Sequence, residues 1–387
     1  MQKSDRLKSI SNNVFADMDR AKSLVQGHSL IDLSLGSSDL PTSPRILEAI
    51  ASALQDTSTH GYSLFRSTKD FRVAVSDWIK TRFNISVDPE TEILPLIGSQ
   101  EGTAHLPLAI LNQGDYALLQ DPGYPSHYGG IHLAGGQIYG MPLLAENYFL
   151  PVFADIPKQV LANSKMMVLS YPHNPTTAIA SLKFFKSAVQ FCQTHNLALV
   201  HDFPYLDIFF DGFKPPSMLQ ADPDRSVTIE FFTLSKSYNM GGFRVGFAVG
   251  NRDLIQGLRQ VKAAVDFNQY QGIMRGGIVA LSTPDSEILE VINTFKHRRD
   301  VMVYALHQAG WEVPLPSSTM YIWAKLPAKF AQDSVKYCVD LVRSTGVALS
   351  PGAGFGKYGE GYVRLALVHP PEILEDAALR IGDFNSK

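Results

Sequence analysis

The chain has 387 residues, of which 45% are hydrophobic and 18% charged, and a formal net charge of -3. That is ample material for a soluble core of one large and one smaller domain. The near-neutral balance gives no electrostatic ground for a nucleic-acid or anionic-membrane partner, and no apolar run reaches membrane-spanning length. The first ten residues carry charges with no following apolar stretch, so no secretion signal is read. Cys192 and Cys338 each lie in a helix-like apolar pattern and read as reduced core thiols, with neither a bridge nor a metal site expected and a cytoplasmic home the simplest expectation.

From about residue 45 to residue 290, short apolar runs alternate with amphipathic stretches. Strands are predicted at 93–97, 116–119, 165–171, 197–201, 228–234 and 245–249. Between the third and fourth, residues 181–196 place Leu182, Phe185, Ala188, Val189 and Cys192 on one face at helical spacing. Strand and helix alternating in this way imply an α/β fold with a mainly parallel sheet covered by helices on both sides. After a long helix near 286–308, runs at 320–326 and 362–367 flank a helix-like 331–345, which suggests a compact α+β unit. The expected division is residues 1–45 as a segment joining the small domain, 46–290 as the large domain and 291–387 as the small one. No repeat or Pro-rich linker separates them, so close packing is expected.

In such a sheet ligands bind beyond the carboxyl ends of the strands, and the unusual residues fall there. The run 93–97 leads into Gly98-Ser99-Gln100-Glu101-Gly102, which opens a helix whose free N–H groups suit an anion. The run 116–119 leads into Asp121-Pro122-Gly123-Tyr124-Pro125, which displays an aromatic ring able to stack on a flat heterocycle. The third strand ends in Tyr171-Pro172-His173-Asn174-Pro175-Thr176, with the Asn174 amide as a donor toward a phenolic oxygen. The fourth ends in His201-Asp202-Phe203-Pro204-Tyr205, a carboxylate followed by a phenol. Finally, Thr233, Ser235 and Lys236 precede Arg244 by at most eleven residues. A lysine amine condenses with an aldehyde, while two hydroxyls and a planar guanidinium suit a phosphate. Pyridoxal 5'-phosphate carries both groups, and a carboxylate such as Asp202 beside its pyridine nitrogen would keep that nitrogen protonated. Taken singly, these windows also read as a helix cap, a loop aromatic, an Asx turn, a solvated strand-end Asp and a surface Lys and Arg; their agreement in place favours the cofactor. No Gly-x-Gly-x-x-Gly follows the first strand, which argues against a nicotinamide-binding protein.

The set Asn174-Pro175-Thr176, Asp202 with Tyr205, and Ser235-Lys236 with Arg244 resembles the class I/II aminotransferases of fold type I. The similarity runs from Ile31-Asp32-Leu33-Ser34-Leu35-Gly36 to Ser350-Pro351-Gly352-Ala353-Gly354-Phe355-Gly356 and Val363-Arg364-Leu365, and it looks most like the bacterial alanine and LL-diaminopimelate aminotransferase branch. The resemblance implies a seven-stranded sheet and a ping-pong exchange between an L-amino acid and a 2-oxo acid. It implies that Lys236 holds the cofactor aldehyde and then moves a proton, that Asp202 pairs with the ring nitrogen, that Asn174 and Tyr205 hold the phenolic oxygen, and that Tyr124 stacks on the ring. Ser99, the Gln100 backbone, Thr233, Ser235 and Arg244 would bind the phosphate, and Tyr62 would reach the phosphate of a second subunit, making a homodimer with shared sites. Arg364 and Gly36 match positions that meet the substrate carboxylate, and Asn268 lies near a further substrate contact. Departures are Thr177, Ser67 and Gly241 in place of a usual Gly, Gly and Ala, and the divergent segment 265–271. A β-branched Thr177 would be strained where the backbone needs positive φ. Arg66, Arg275 and Lys262 are possible charged contacts for a substrate side chain. A PLP-dependent carbon-sulfur lyase and a non-enzymatic PLP-binding regulatory module are the alternatives.

Overall fold

The computed structural model describes residue 4 and residues 14–25, 27–330 and 332–387; the remainder of the expected segment 1–45 lies outside the described residues. The strands, in chain order, are β1 (Ile31–Asp32), β2 (Ile93–Leu96), β3 (Tyr116–Asp121), β4 (Gln137–Pro142), β5 (Ser164–Leu169), β6 (Ala198–Asp202), β7 (Thr228–Thr233), β8 (Gly246–Gly250), β9 (Tyr321–Lys325), β10 (Val347–Ala348), β11 (Ser350–Pro351) and β12 (Tyr362–Ala366). A seven-stranded sheet runs in the order β2-β8-β7-β6-β5-β3-β4. Only β8 runs against its neighbours, pairing antiparallel with β2 and β7.

The six predicted strands are all present, and β2, β7 and β8 are buried along their whole length. Continuous apolar runs are what a sheet covered on both faces requires. The strand that periodicity did not show is β4, sequence Gln-Ile-Tyr-Gly-Met-Pro, on the sheet edge beside β3. It is mostly half-buried and ends in proline, so it has neither an unbroken apolar run nor clean alternation. The helix Leu182–His195 matches its prediction: Ser181 accepts a bond from the Phe184 N–H, Asn196 closes it in the left-handed conformation, and Phe185, Ala188, Val189 and Cys192 are buried. Each of the larger side chains buried on that face stabilises the helix–sheet contact by about 1.5–3 kcal/mol.

The C-terminal part carries the three-stranded antiparallel sheet β11-β12-β9, with Arg364 of β12 opposite Trp323 of β9 and Ser350 of β11. Its long helix is Asp285–Gln308. The predicted helix 331–345 starts later, at Ser334, because the Asp333 carboxylate accepts a bond from the Lys336 N–H and caps it there. Near the N-terminus, β1 pairs parallel with β10, Ile31 opposite Val347. Met18, Ile31 and Leu33 share one apolar cluster with Phe295, Met302, Tyr321 and Val347. That cluster also takes in Tyr205, Ile208 and Phe210, just past β6. Side chains from both ends of the chain therefore face the carboxyl ends of the large sheet.

Candidate active site

A cavity of about 550 Å³ opens at those strand ends. Its walls include Ser99 and Gln100 after β2, Tyr124 after β3, Asn174 after β5, Asp202 and Tyr205 at and after β6, and Thr233, Ser235, Lys236 and Arg244 between β7 and β8. Gly36 and Arg364 come from outside the large sheet and line the same cavity.

One end of the cavity is an anion cradle in its chemistry. Gly98 has φ +74° and starts the helix Ser99–Ile110. A Cβ there would stand 2.4 Å from Nη2 of Arg244, so only glycine lets the guanidinium lie across the helix start, where the first N–H groups have no partner within the helix. Arg244 donates to the Gly241 carbonyl at 3.0 Å, and no carboxylate lies within ion-pairing distance of it among the described residues. The Thr233 and Ser235 hydroxyls stand 2.9 Å apart beside it.

The second guanidinium of the cavity is that of Arg364, which is 6% exposed. It donates to Asn174 Oδ1 at 2.8 Å, to the Ser34 carbonyl at 2.7 Å and to Ser350 Oγ at 3.2 Å, and its guanidinium lies 4.3 Å from the Tyr321 ring centre and 4.8 Å from that of Phe355. None of these partners carries a negative charge. A buried cation is costly unless an anion joins it. Because Arg364 takes the Asn174 carbonyl, the Asn174 amide keeps its donor end for another group.

The amine and the carboxylate line the same cavity as the two cations. Lys236 Nζ donates to the Gly36 carbonyl and stands 5.8 Å from the Tyr205 ring centre. Asp202 is 5% exposed; its Oδ2 is 3.1 Å from His127 Nε2, while Oδ1 is buried with no hydrogen-bond partner. A buried carboxylate oxygen without a partner suits a cationic N–H donor. The Tyr124 ring packs edge-on against His127 at 5.6 Å. Tyr205 and Tyr321 place their hydroxyls 2.8 Å apart. Burial raises the Tyr205 pKa well above the ordinary phenol value; burial also opposes ionisation of Tyr321, yet the charges of Arg364 and Lys236 hold it below that value.

Gly36 is constrained sterically, since a Cβ would fall 1.9 Å from the Tyr321 hydroxyl. The segment that carries it is tied down at Asn239, which receives bonds from Ser38 Oγ at 2.8 Å and Thr42 Oγ1 at 2.7 Å. Thr177 has φ +61°, the left-handed backbone that its β-branch disfavours.

Two predicted residues stand apart. Tyr62, 85% exposed, and Asn268, which donates to the Ser63 carbonyl at 2.9 Å, line a separate recess. The three candidate side-chain contacts do not reach the cavity: Arg66 is exposed, Arg275 pairs with Asp56 at 2.7 Å, and Lys262 is buried against Glu101. Residues the sequence did not single out are His127, Asn239 and Tyr321. His127 follows Tyr124 by three residues, a spacing that puts both at the start of the helix Pro125–Leu133 and offers a sequence signal. Tyr321 carries no such signal, because 116 residues separate it from Tyr205.

The fold and this cluster of amine, carboxylate and two guanidinium groups define a transaminase-class enzyme. The chain belongs to the class I and II aminotransferase family, whose pattern matches residues 28–381. It is 42% identical over 383 residues to the LL-diaminopimelate aminotransferase of Aquifex aeolicus, covering 98% of each chain, and 40% identical over 389 residues to that of Dehalococcoides mccartyi, covering 100% of each. Among solved structures it is similar to a probable N-succinyldiaminopimelate aminotransferase from Thermus thermophilus, with TM-score 0.91, 40% identity and coverage of 96% of this chain and 99% of that one. It is also similar to substrate-bound BacF from Bacillus subtilis, with TM-score 0.95, 34% identity and coverage of 100% and 98%. An aminotransferase is thus the enzyme class, ahead of a lyase or a binding module, and the family implies pyridoxal 5'-phosphate.

Proposed function

We propose that this enzyme exchanges an amino group between an L-amino acid of the diaminopimelate type and a 2-oxo acid, with pyridoxal 5'-phosphate held in the cavity described. The observation that carries the reading is the buried Arg364, whose hydrogen-bond partners are all neutral, in one cavity with Lys236 and the partnerless Oδ1 of Asp202. When bound, the cofactor supplies an aldehyde for an amine and a ring that accepts an electron pair. The residues fit it. Arg244, Thr233, Ser235, Ser99 and the Gln100 backbone would hold its phosphate; Asp202 Oδ1 would accept from the ring N–H; the Asn174 amide and the Tyr205 hydroxyl would hold its phenolic oxygen; and Tyr124 would cover its face. Arg364 would bind the substrate carboxylate beside the Gly36 backbone and so orient the α-C–H toward Lys236, whose Nζ would take that proton and deliver it to the carbon that had carried the cofactor's aldehyde oxygen.

Removing the Arg364 clamp is expected to act on binding. Arg364→Ala should raise KM for the amino acid by about ten- to a hundredfold, the scale of a charge-assisted bidentate bond, and lower kcat less. Steady-state kinetics at varied amino acid checks this, and an unchanged KM removes the role.

The diaminopimelate assignment rests on the names of the relatives at about 40% identity. Rapid mixing of cofactor-loaded enzyme with LL-diaminopimelate, its N-succinyl derivative, alanine, glutamate, aspartate, methionine and an aromatic amino acid tests it through the cofactor absorbance. LL-diaminopimelate should give the fastest change at low concentration; alanine or glutamate doing so instead overturns the assignment.

A second copy of the chain would complete the site. Tyr62 at 85% exposure packs edge-on to the exposed Phe267 at 6.3 Å, an aromatic pair suited to burial in a homodimer with Tyr62 reaching the neighbour's phosphate. Asn268 is the weaker candidate for a shared substrate contact. The two cysteines are buried and burial pushes both thiols up, which keeps them unreactive and fits a reducing, cytoplasmic setting. Among the described residues no helix is long and apolar enough to cross a membrane.

A further inference from the structure

Glu101 stands two residues after Ser99, in the first turn of the helix whose free N–H groups face the anion cradle. Its carboxylate is 3% exposed and accepts a bond from the Ile97 N–H, the last residue before Gly98. A buried negative charge at that place opposes an anion bound at the same helix start. Lys262, on the helix Arg252–Val265, answers it. Its Nζ, 4% exposed, donates to both Glu101 oxygens at 2.7 and 2.9 Å and to Asp266 Oδ1 at 2.9 Å. His105 Nδ1 lies 3.7 Å from Glu101 Oε1, and it is the fourth ionisable group of the cluster.

Donor atoms of Glu101, His105 and Asp266 lie within 4.8 Å of one another, close enough to hold a metal ion. The Lys262 ammonium already bonds to two of these three residues, so the chain supplies its own cation there. The same lysine joins two pieces of backbone around the cradle. Through Glu101 it holds the Ile97 N–H and the helix start, and through Asp266 it holds the segment whose Gln269 donates to the carbonyls of Leu96 and Arg244 at 3.3 Å each.

We propose that Lys262 is a positioning residue for phosphate capture: it neutralises Glu101 behind the helix start and braces the Arg244 backbone through the 266–269 segment. The inference rests on the reading of that cradle as the cofactor-phosphate site. It does not require Lys262 to touch the cofactor, and Lys262 is not among the residues lining the cavity. Without the ammonium, two carboxylates would remain behind the cradle. With Glu101 neutral and Lys262 intact, the ammonium would balance the Asp266 carboxylate, and the excess negative charge that opposes a bound anion would be gone.

Two variants separate this role from a merely structural one. Lys262→Met should weaken binding of inorganic phosphate to the cofactor-free enzyme, and of pyridoxal 5'-phosphate titrated by its absorbance, by about tenfold or more. Glu101→Gln keeps an acceptor for the Ile97 N–H while removing the charge, so alone it should tighten phosphate binding severalfold. Combined with Lys262→Met, it should recover most of the lost affinity. Lys262→Met also leaves a buried unpaired carboxylate whose cost to the fold Glu101→Gln would relieve, so tighter phosphate binding by the folded Glu101→Gln single variant is the readout that a merely structural role would not move, and it still decides the matter if Lys262→Met does not fold. Wild-type protein that binds neither phosphate nor the cofactor overturns the cradle itself. Wild-type protein that binds both, with unchanged affinity in the folded variants or no recovery in the double variant, overturns the role of Lys262 alone.

Discussion

Lys236→Ala is expected to lower turnover by on the order of ten-thousandfold or more, because one side chain both attaches the cofactor aldehyde and moves the α-proton. Lys236 is half-buried and its hydrogen bond is to the Gly36 carbonyl, so thermal stability should fall by no more than about 1 kcal/mol. The cofactor should still bind through Arg244, Thr233 and Ser235, with the absorbance of the free aldehyde. Transaminase assays and absorbance spectra of the purified variant test this directly. A variant with near-wild-type turnover, or with the spectrum of the attached cofactor, would show that a different amine does the chemistry.

Asp202→Asn carries the second largest expected effect. Asparagine retains an acceptor toward His127 Nε2 but loses the charge that the buried Oδ1 would offer a ring N–H. Turnover should fall by on the order of a thousandfold, as expected when preorganised electrostatic support is withdrawn from a developing carbanion. Phosphate affinity should change little, because the cradle is built from other residues. A cofactor analogue with a permanently charged ring nitrogen should recover part of the lost rate. Activity within about threefold of wild type would mean that Asp202 is not the electrostatic support for the ring.

Why some of this was legible from sequence follows from where the residues sit. Asn174, Asp202 and the Thr233 to Arg244 group are each local motifs at the end of an apolar strand, and the apolar runs of β5, β6 and β7 place those ends together without any knowledge of loop geometry. Arg364 and Gly36 were reached only through family resemblance, since they enter the cavity from β12 and from the segment after β1. Tyr321 is not legible in the sequence, since nothing in its own neighbourhood announces a hydroxyl that meets Tyr205 across 116 residues. Edge strand β4 escaped because a half-buried edge need not be continuously apolar. Lys262 reads as a candidate substrate contact because charge is visible in a sequence while burial against Glu101 is not. Thr177 shows the converse, as the positive φ expected at that turn is present even without glycine.

The most direct measurement is borohydride reduction of the cofactor-saturated enzyme followed by peptide mapping. A single pyridoxyl group on the ε-amine of Lys236 is the expected result. Reduction that leaves Lys236 unmodified, or that labels another lysine in its place, would contradict the assignment of this cavity as the catalytic site.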